Sequence, residues 1–77
     1  MDKIYRIELD ALDLGQLLDG LEARADSWGK TAEYHRSGKS PAGFVVEECN
    51  DADEAGRLAA HYRAIIAKIV EQREAQL

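Results

Sequence analysis

Two segments of the chain carry apolar residues at helical spacing, and the C-terminal one has the broader pattern. Between Asp51 and Leu77 the apolar positions alternate steps of three and four with both flanks filled: Ala55, Leu58, Ala59, Tyr62, Ile65, Ile66, Ile69 and Val70. This pattern is typical of an amphipathic helix with a wide buried face. We therefore predict a helix over residues 51–75, with Asn50 or Asp51 as its N-cap.

The other helical segment has a narrower apolar seam. Its positions follow one another at alternating spacings of four and three: Leu14, Leu18, Leu21, Ala25, Trp28, Ala32 and His35. Such a heptad seam indicates a helix that contacts one neighbour along its length. Asp10 or Asp13 can cap its beginning, and Gly38 with the nearby Pro41 predicts its end, so we expect a helix over residues 11–36.

Two short stretches outside the helical segments favour extended structure. Residues 3–9 read KIYRIEL, in which every second residue from Tyr5 onward is apolar, the period of a half-buried strand. Residues 44–48 read FVVEE and begin with three β-forming residues. We predict short strands at 3–9 and 44–48, and a frayed N-terminal arm is the alternative for the first.

The expected fold is mainly α, an antiparallel two-helix hairpin that forms a single domain over residues 1–77. The apolar stripe of the second helix is wider than one neighbouring helix can cover. A second hairpin related by a two-fold axis would cover the remainder, so we expect a homodimer that forms a four-helix bundle. The residues predicted at this interface are Leu58, Tyr62, Ile65, Ile66, Ile69 and Val70.

Size and charge narrow the choice of partners. A chain of 77 residues is marginally stable alone, and its only cysteine, Cys49, excludes an internal disulfide. The net charge of −5 argues against a nucleic acid or an anionic membrane surface as partner. No stretch approaches the roughly 20 apolar residues that a membrane span requires, and we expect no signal peptide. Because a lone cysteine also fits a reducing compartment, we expect a cytoplasmic location.

No motif in the chain predicts catalysis or a bound cofactor. The tripeptides Gly29–Thr31 and Gly38–Ser40 resemble the end of a phosphate-binding loop, but they lack its upstream glycine and its order of strand, loop and helix. His61 and Tyr62 have no nucleophile or carboxylate pair at a spacing that would place it beside them. We therefore expect a protein that is not an enzyme.

Three classes of function fit these observations. The first is a homodimeric module that binds another, unidentified protein. The second is a metal- or small-ligand-binding protein that uses the pole around His35 and Cys49, where imidazole, thiolate and nearby carboxylates are suitable ligands. The third is an acidic regulator that occupies a basic partner surface. The first class is favoured because it requires no residue that the sequence lacks.

Overall fold

The structure is an antiparallel pair of helices. The computed structural model describes residues 2–39 and 46–77. Helix α1 spans Ala11–Ser37 and helix α2 spans Ala52–Glu74, and the two pack against each other. The predicted helical hairpin is confirmed, and both helices begin and end close to the residues expected from the sequence.

The ends of α1 are set by local contacts. The Asp10 carboxylate accepts a hydrogen bond from the backbone N–H of Asp13 at 2.8 Å, so Asp10 rather than Asp13 is the N-cap. At the other end Gly38 has φ 74° and its N–H donates to the Tyr34 carbonyl at 2.7 Å. Glycine adopts this left-handed conformation at little cost, which is why the helix ends there.

Helix α2 begins in a reciprocal arrangement of two acidic residues. The Asp51 carboxylate accepts from the Glu54 N–H at 2.8 Å, and the Glu54 carboxylate accepts from the Asn50 N–H at 2.8 Å. This is a variant of the capping box that reaches one residue further back. Asp53 and Glu54 in the first turn also complement the positive end of the helix dipole.

Alanine dominates the buried surface between the helices. Ala25, Ala32 and Ala55 are almost fully buried, and Ala59 is buried beside them. Among the described residues, the only large apolar side chains in the buried class are Leu18 and Trp28. Small residues let two helix axes approach closely, but they withdraw little apolar area from water. The hairpin therefore has close helix contact and a thin core.

One residue of the predicted α1 seam lies outside the core. His35 is exposed, and its ring packs edge-on against Tyr34 with ring centroids 5.5 Å apart. The seam continues from Leu14 to Ala32, and of its members Leu14 and Leu21 are only half-buried. The prediction that His35 extends the seam is wrong because α2 meets α1 through the preceding turns.

The chain returns to α1 through a polar junction around Thr31, which is 1% exposed. Its Oγ1 donates to the Ser27 carbonyl at 2.8 Å and accepts the Glu47 N–H at 2.9 Å. The Glu47 carboxylate in turn accepts from the Ser27 hydroxyl at 3.1 Å and from Arg24 at 2.7 Å. These four residues fasten the segment that leads into α2 to one face of α1.

A surface ion pair also links the two helices. Arg63 of α2 donates to the Asp26 carboxylate of α1 at 3.0 Å. Both side chains are more than half exposed, so water and salt screen the pair and it contributes at most about 1 kcal/mol. The pair places Arg63 of α2 level with Asp26 of α1.

The predicted strands are not confirmed. Residues 2–9 and 46–49 have no regular secondary structure, and no strand is found in the described parts of the chain. Residues 44 and 45 of the second predicted strand lie outside those parts. Ile4, Tyr5 and Ile7 are largely exposed, as the alternative of an unpaired N-terminal arm requires.

Replacing Thr31 by valine tests the polar junction. Thr31→Val keeps the shape of the side chain but leaves the Glu47 N–H without its acceptor. We expect the free energy of unfolding to fall by about 1–2 kcal/mol, the usual cost of an unpaired, partly buried donor. Urea unfolding at one fixed chain concentration measures the change.

Ser37→Ala is the matched control for this substitution. The Ser37 hydroxyl makes the same kind of bond, to the Glu33 carbonyl four residues earlier at 2.9 Å, but at an exposed site. Its loss is expected to change stability by less than about 0.5 kcal/mol. Equal losses for the two variants would show that the junction adds nothing beyond an ordinary helix hydroxyl.

Candidate functional site

The six residues predicted at the dimer interface do not all face the same surroundings. Each of them is half-buried in the single chain. Leu58 and Tyr62 pack against the buried cluster of Trp28, Ala32, Ala55 and Ala59. Ile69 instead lines an open groove at the far end of the hairpin. The apolar stripe of α2 thus divides between the core of the hairpin and its outer surface.

The open end of the hairpin carries a groove of 590 Å³, formed where the N-terminal arm passes the first turns of α1 and the last turns of α2. We call it the apolar groove. Its apolar walls come from all three segments and consist of Tyr5, Ile7, Leu9, Leu14, Leu17, Ile69 and Leu77. A polar rim is supplied mainly by Glu8, Gln72, Arg73 and Gln76.

The walls of the apolar groove are poorly covered within one chain. Tyr5 is 72% exposed, Ile7 is 77% exposed and Leu17 is 44% exposed. A contiguous apolar surface with a polar rim is unusual on a monomeric soluble protein and typical of an interaction site. The arm rests over the groove without closing it.

The chain has a larger accessible surface than a compact monomer of the same mass. Its accessible surface is 6278 Å², whereas a compact monomer of 8.6 kDa exposes about 4,700 Å². The radius of gyration is 14.9 Å, against about 11.5 Å for a compact domain of this length. The molecule measures 43 × 33 × 17 Å, and its two helices form a single layer. One layer cannot enclose an apolar core.

The proposed metal-binding pole has no assembled set of ligands in the part of the chain that the structure describes. His35 is exposed on the last turn of α1 and Cys49 is half-buried before α2. Across residues 2–39 and 46–77, no three His, Cys, Asp or Glu side chains are placed to hold an ion together. The structure therefore gives this alternative no support.

The Cys49 thiol also lies in surroundings that disfavour a thiolate. Its pKa is raised above the ordinary value by partial removal from water, and then by the negative charges of Glu54 and Asp51. A backbone hydrogen bond with Asp51 offsets part of that rise in pKa. Because the thiolate is both the metal ligand and the nucleophile, a protonated Cys49 is suited to neither role at neutral pH.

Trp28 is a buried anchor with one unpaired group. It is only 7% exposed and packs against Ala32, Ala55 and Ala59, and the Arg24 guanidinium lies 5.4 Å from the ring centre. The buried Nε1–H makes no hydrogen bond within the described structure. An unpaired buried donor costs about 1–3 kcal/mol, which reduces the stability that the ring contributes to an already thin core.

Sequence reasoning located only part of the apolar groove. It identified Leu14, Ile69 and the alternating pattern of residues 3–9, but it did not use Leu77. Leu77 lies three residues after the end of α2, so it adds nothing to the helical periodicity of the apolar positions. Only the antiparallel packing brings Leu77 and Ile69 beside Leu14 and Leu17.

Neither α1 nor α2 combines the length and the hydropathy needed to cross a bilayer, and the same is true of the other described residues. Comparison with protein-family models, with curated proteins and with solved structures finds no match to this chain. The evidence for function is therefore the surface that the chain presents.

The pH dependence of Cys49 alkylation tests the electrostatics at the start of α2. We expect half-maximal reactivity toward iodoacetamide at a higher pH than for a free cysteine peptide in the same buffer. Glu54→Gln keeps an oxygen that can accept from Asn50 but removes one negative charge, so it should lower the midpoint.

Glu71→Gln, near the other end of α2, is the control and should leave the alkylation midpoint unchanged. A midpoint for the unaltered chain at or below that of the peptide would contradict the assignment of Cys49 as a protonated, unreactive thiol.

Proposed function

We propose that this chain is a non-catalytic protein-interaction module that acts as a homodimer, with two hairpins forming a four-helix bundle. The observation that carries the proposal is the excess of exposed surface, about 1,600 Å² per chain, together with the open apolar groove. Covering that excess on two chains would bury about 3,200 Å², which falls within the range of permanent dimer interfaces.

The interface follows from the periodicity of α2. Leu58 and Ile65 are seven residues apart and therefore share one flank of the helix, whereas Val70 lies on the opposite flank. Tyr62, Ile66 and Ile69 lie between these flanks; Tyr62 packs against the buried cluster, and Ile69 lines the apolar groove. The six half-buried residues Leu58, Tyr62, Ile65, Ile66, Ile69 and Val70 form the proposed contact surface.

A second copy of the same chain is the occupant that this surface fits best. A two-fold interface uses the same patch on both copies, so each half-covered stripe on α2 would be completed by the stripe of its partner. The result is a second layer of helices on a molecule that is only 17 Å thick. Such a bundle encloses a core between two layers, which one hairpin lacks.

The acidic-regulator alternative has less support. Four of the acidic side chains that the structure describes form ion pairs with arginines of the same chain: Glu47 with Arg24, Glu33 with Arg36, Asp26 with Arg63 and Glu74 with Arg73. A surface for a basic partner would need carboxylates that remain unpaired on one face.

The free thiol of Cys49 is in keeping with the cytoplasm, the location we propose.

Two leucines of α1 provide a matched test of the dimer. Leu17→Glu puts a charge into the wall of the apolar groove, once on each copy. Leu12→Glu makes the same change five residues earlier, at a leucine that is 72% exposed and does not line the groove. We expect Leu17→Glu to raise the dimer dissociation constant at least about a hundredfold, because two leucines lose their burial.

Sedimentation equilibrium over a range of chain concentrations measures both variants. Leu12→Glu should dimerise as the unaltered chain does, and circular dichroism should show that both variants keep their helices. A monomeric unaltered chain at every accessible concentration would overturn the proposal, as would an equal effect of the two substitutions.

A further inference from the structure

The N-terminal arm has an unused edge. Residues 2–9 make neither backbone nor side-chain hydrogen bonds with the described part of the chain. Their N–H and C=O groups therefore have no hydrogen-bond partners among the described residues. Unpaired backbone groups along an extended segment are a template on which another segment can pair as a β-strand.

The two faces of the arm differ. Tyr5, Ile7 and Leu9 line the apolar groove, and Glu8 joins them at its rim, whereas Ile4 and Arg6 do not line it. In the sequence Tyr5, Ile7 and Leu9 alternate with Arg6 and Glu8, which is the pattern of a strand with one face on an apolar surface. The arm thus has the side-chain pattern of a strand that lies on the helices, but it lacks the neighbour that every strand needs.

We propose that this neighbour is the arm of a second copy. The two arms pair as an antiparallel ribbon in which the two copies of Ile7 lie directly opposite each other, on either side of the two-fold axis. This inference rests on the proposed homodimer and specifies part of its contact. In this register Arg6 of each copy lies opposite Glu8 of the other, and Tyr5 lies opposite Leu9.

The register follows from the sequence of the arm. Residues directly opposite each other in a strand pair point to the same face of the ribbon. A two-fold axis between two successive residues would place an apolar residue of one arm opposite a polar residue of the other, so that neither face of the ribbon would be apolar throughout. An axis through a residue avoids this conflict. An axis through Arg6 or Glu8 would bring two like charges together, which is destabilising.

An axis at Ile7 avoids both the Arg6–Arg6 and the Glu8–Glu8 repulsion and brings opposite charges together instead. Two Arg6–Glu8 pairs flank the centre, and each such cross-strand pair of opposite charges is stabilising. The apolar residues Tyr5, Ile7 and Leu9 of both arms then lie on one face of the ribbon, above the apolar grooves of the two hairpins.

The helices are what make the ribbon stable. A two-stranded ribbon alone is marginal in water, which accounts for an arm without strand structure in a single chain. When the hairpins associate, they bring the two arms together over a shared apolar surface. Dimerisation through the helices and pairing of the arms are therefore separable steps, and the arms contribute the smaller part of the affinity.

Charge reversal tests the register. Arg6→Glu places a second carboxylate opposite Glu8 at both pairs, so we expect the dimer dissociation constant to rise about tenfold. Glu8→Arg should have a similar effect, and the double variant Arg6→Glu/Glu8→Arg should restore the original affinity because the pairs are exchanged. Arg57→Glu, on an exposed position of α2, gives the same change of net charge and should leave the affinity unchanged.

Disulfide trapping tests the position of the axis. In a Cys49→Ser background, Ile7→Cys puts two thiols opposite each other at the two-fold axis, and mild oxidation should cross-link the dimer. Ile4→Cys is even more exposed but lies opposite Asp10 in this register. We expect its cross-linking to be at least about ten times slower, since two residues far apart cannot meet the geometry of a disulfide.

The outcomes distinguish this inference from the dimer on which it rests. If Arg6→Glu leaves the dimer dissociation constant unchanged, or if the double variant does not restore it, the pairing of the arms is overturned. The helical dimer would remain supported in either case. Equal rates of cross-linking at positions 4 and 7 overturn the register. An unaltered chain that stays monomeric overturns the homodimer and the paired arms together.

Discussion

The close approach of two helices through alanine is the constraint on which the rest of this structure depends. Ala32 of α1 packs with Ala55 and Ala59 of α2, and Ala25 of α1 is buried as well. Because alanine occupies little space, the helix axes can come close, and larger side chains are left at the edges of the contact. Apolar burial is the main favourable term in folding, so a core of this kind leaves one hairpin with little stability of its own.

The two ends of the hairpin meet this constraint differently. At the end near the connection, Thr31 and Glu47 fasten the returning chain to α1 with paired polar groups, and Trp28 fills the space beside them. At the open end the arm lies over the apolar groove but leaves Tyr5 and Ile7 in water. At one end the polar junction joins residue Glu47 to α1, and at the other end we propose that a second chain covers the apolar groove.

The proposed homodimer and the proposed pairing of the arms both follow from the same incompletely covered surface. The helices lack a second layer, and the arm lacks a neighbouring strand. A single two-fold axis can supply both, since it repeats every patch and every extended segment of the chain. The self-complementary order of Arg6, Ile7 and Glu8 gives that axis a definite place. Association would then be specified by charge in the arms and driven by apolar area in the helices.

The sequence by itself determined the two helices and narrowed their N-caps to Asp10 or Asp13 and to Asn50 or Asp51, because helix ends depend on residues close together in the chain. The structure then selected Asp10 and Asp51. Only the tertiary structure decided which part of each stripe faces inward, that His35 is exposed and that Thr31 is buried. Periodicity gives the width of an apolar stripe, but the direction in which it faces depends on the neighbouring helix. The alternating arm illustrates the same limit, since its pattern is that of a strand and a strand forms only against a second one.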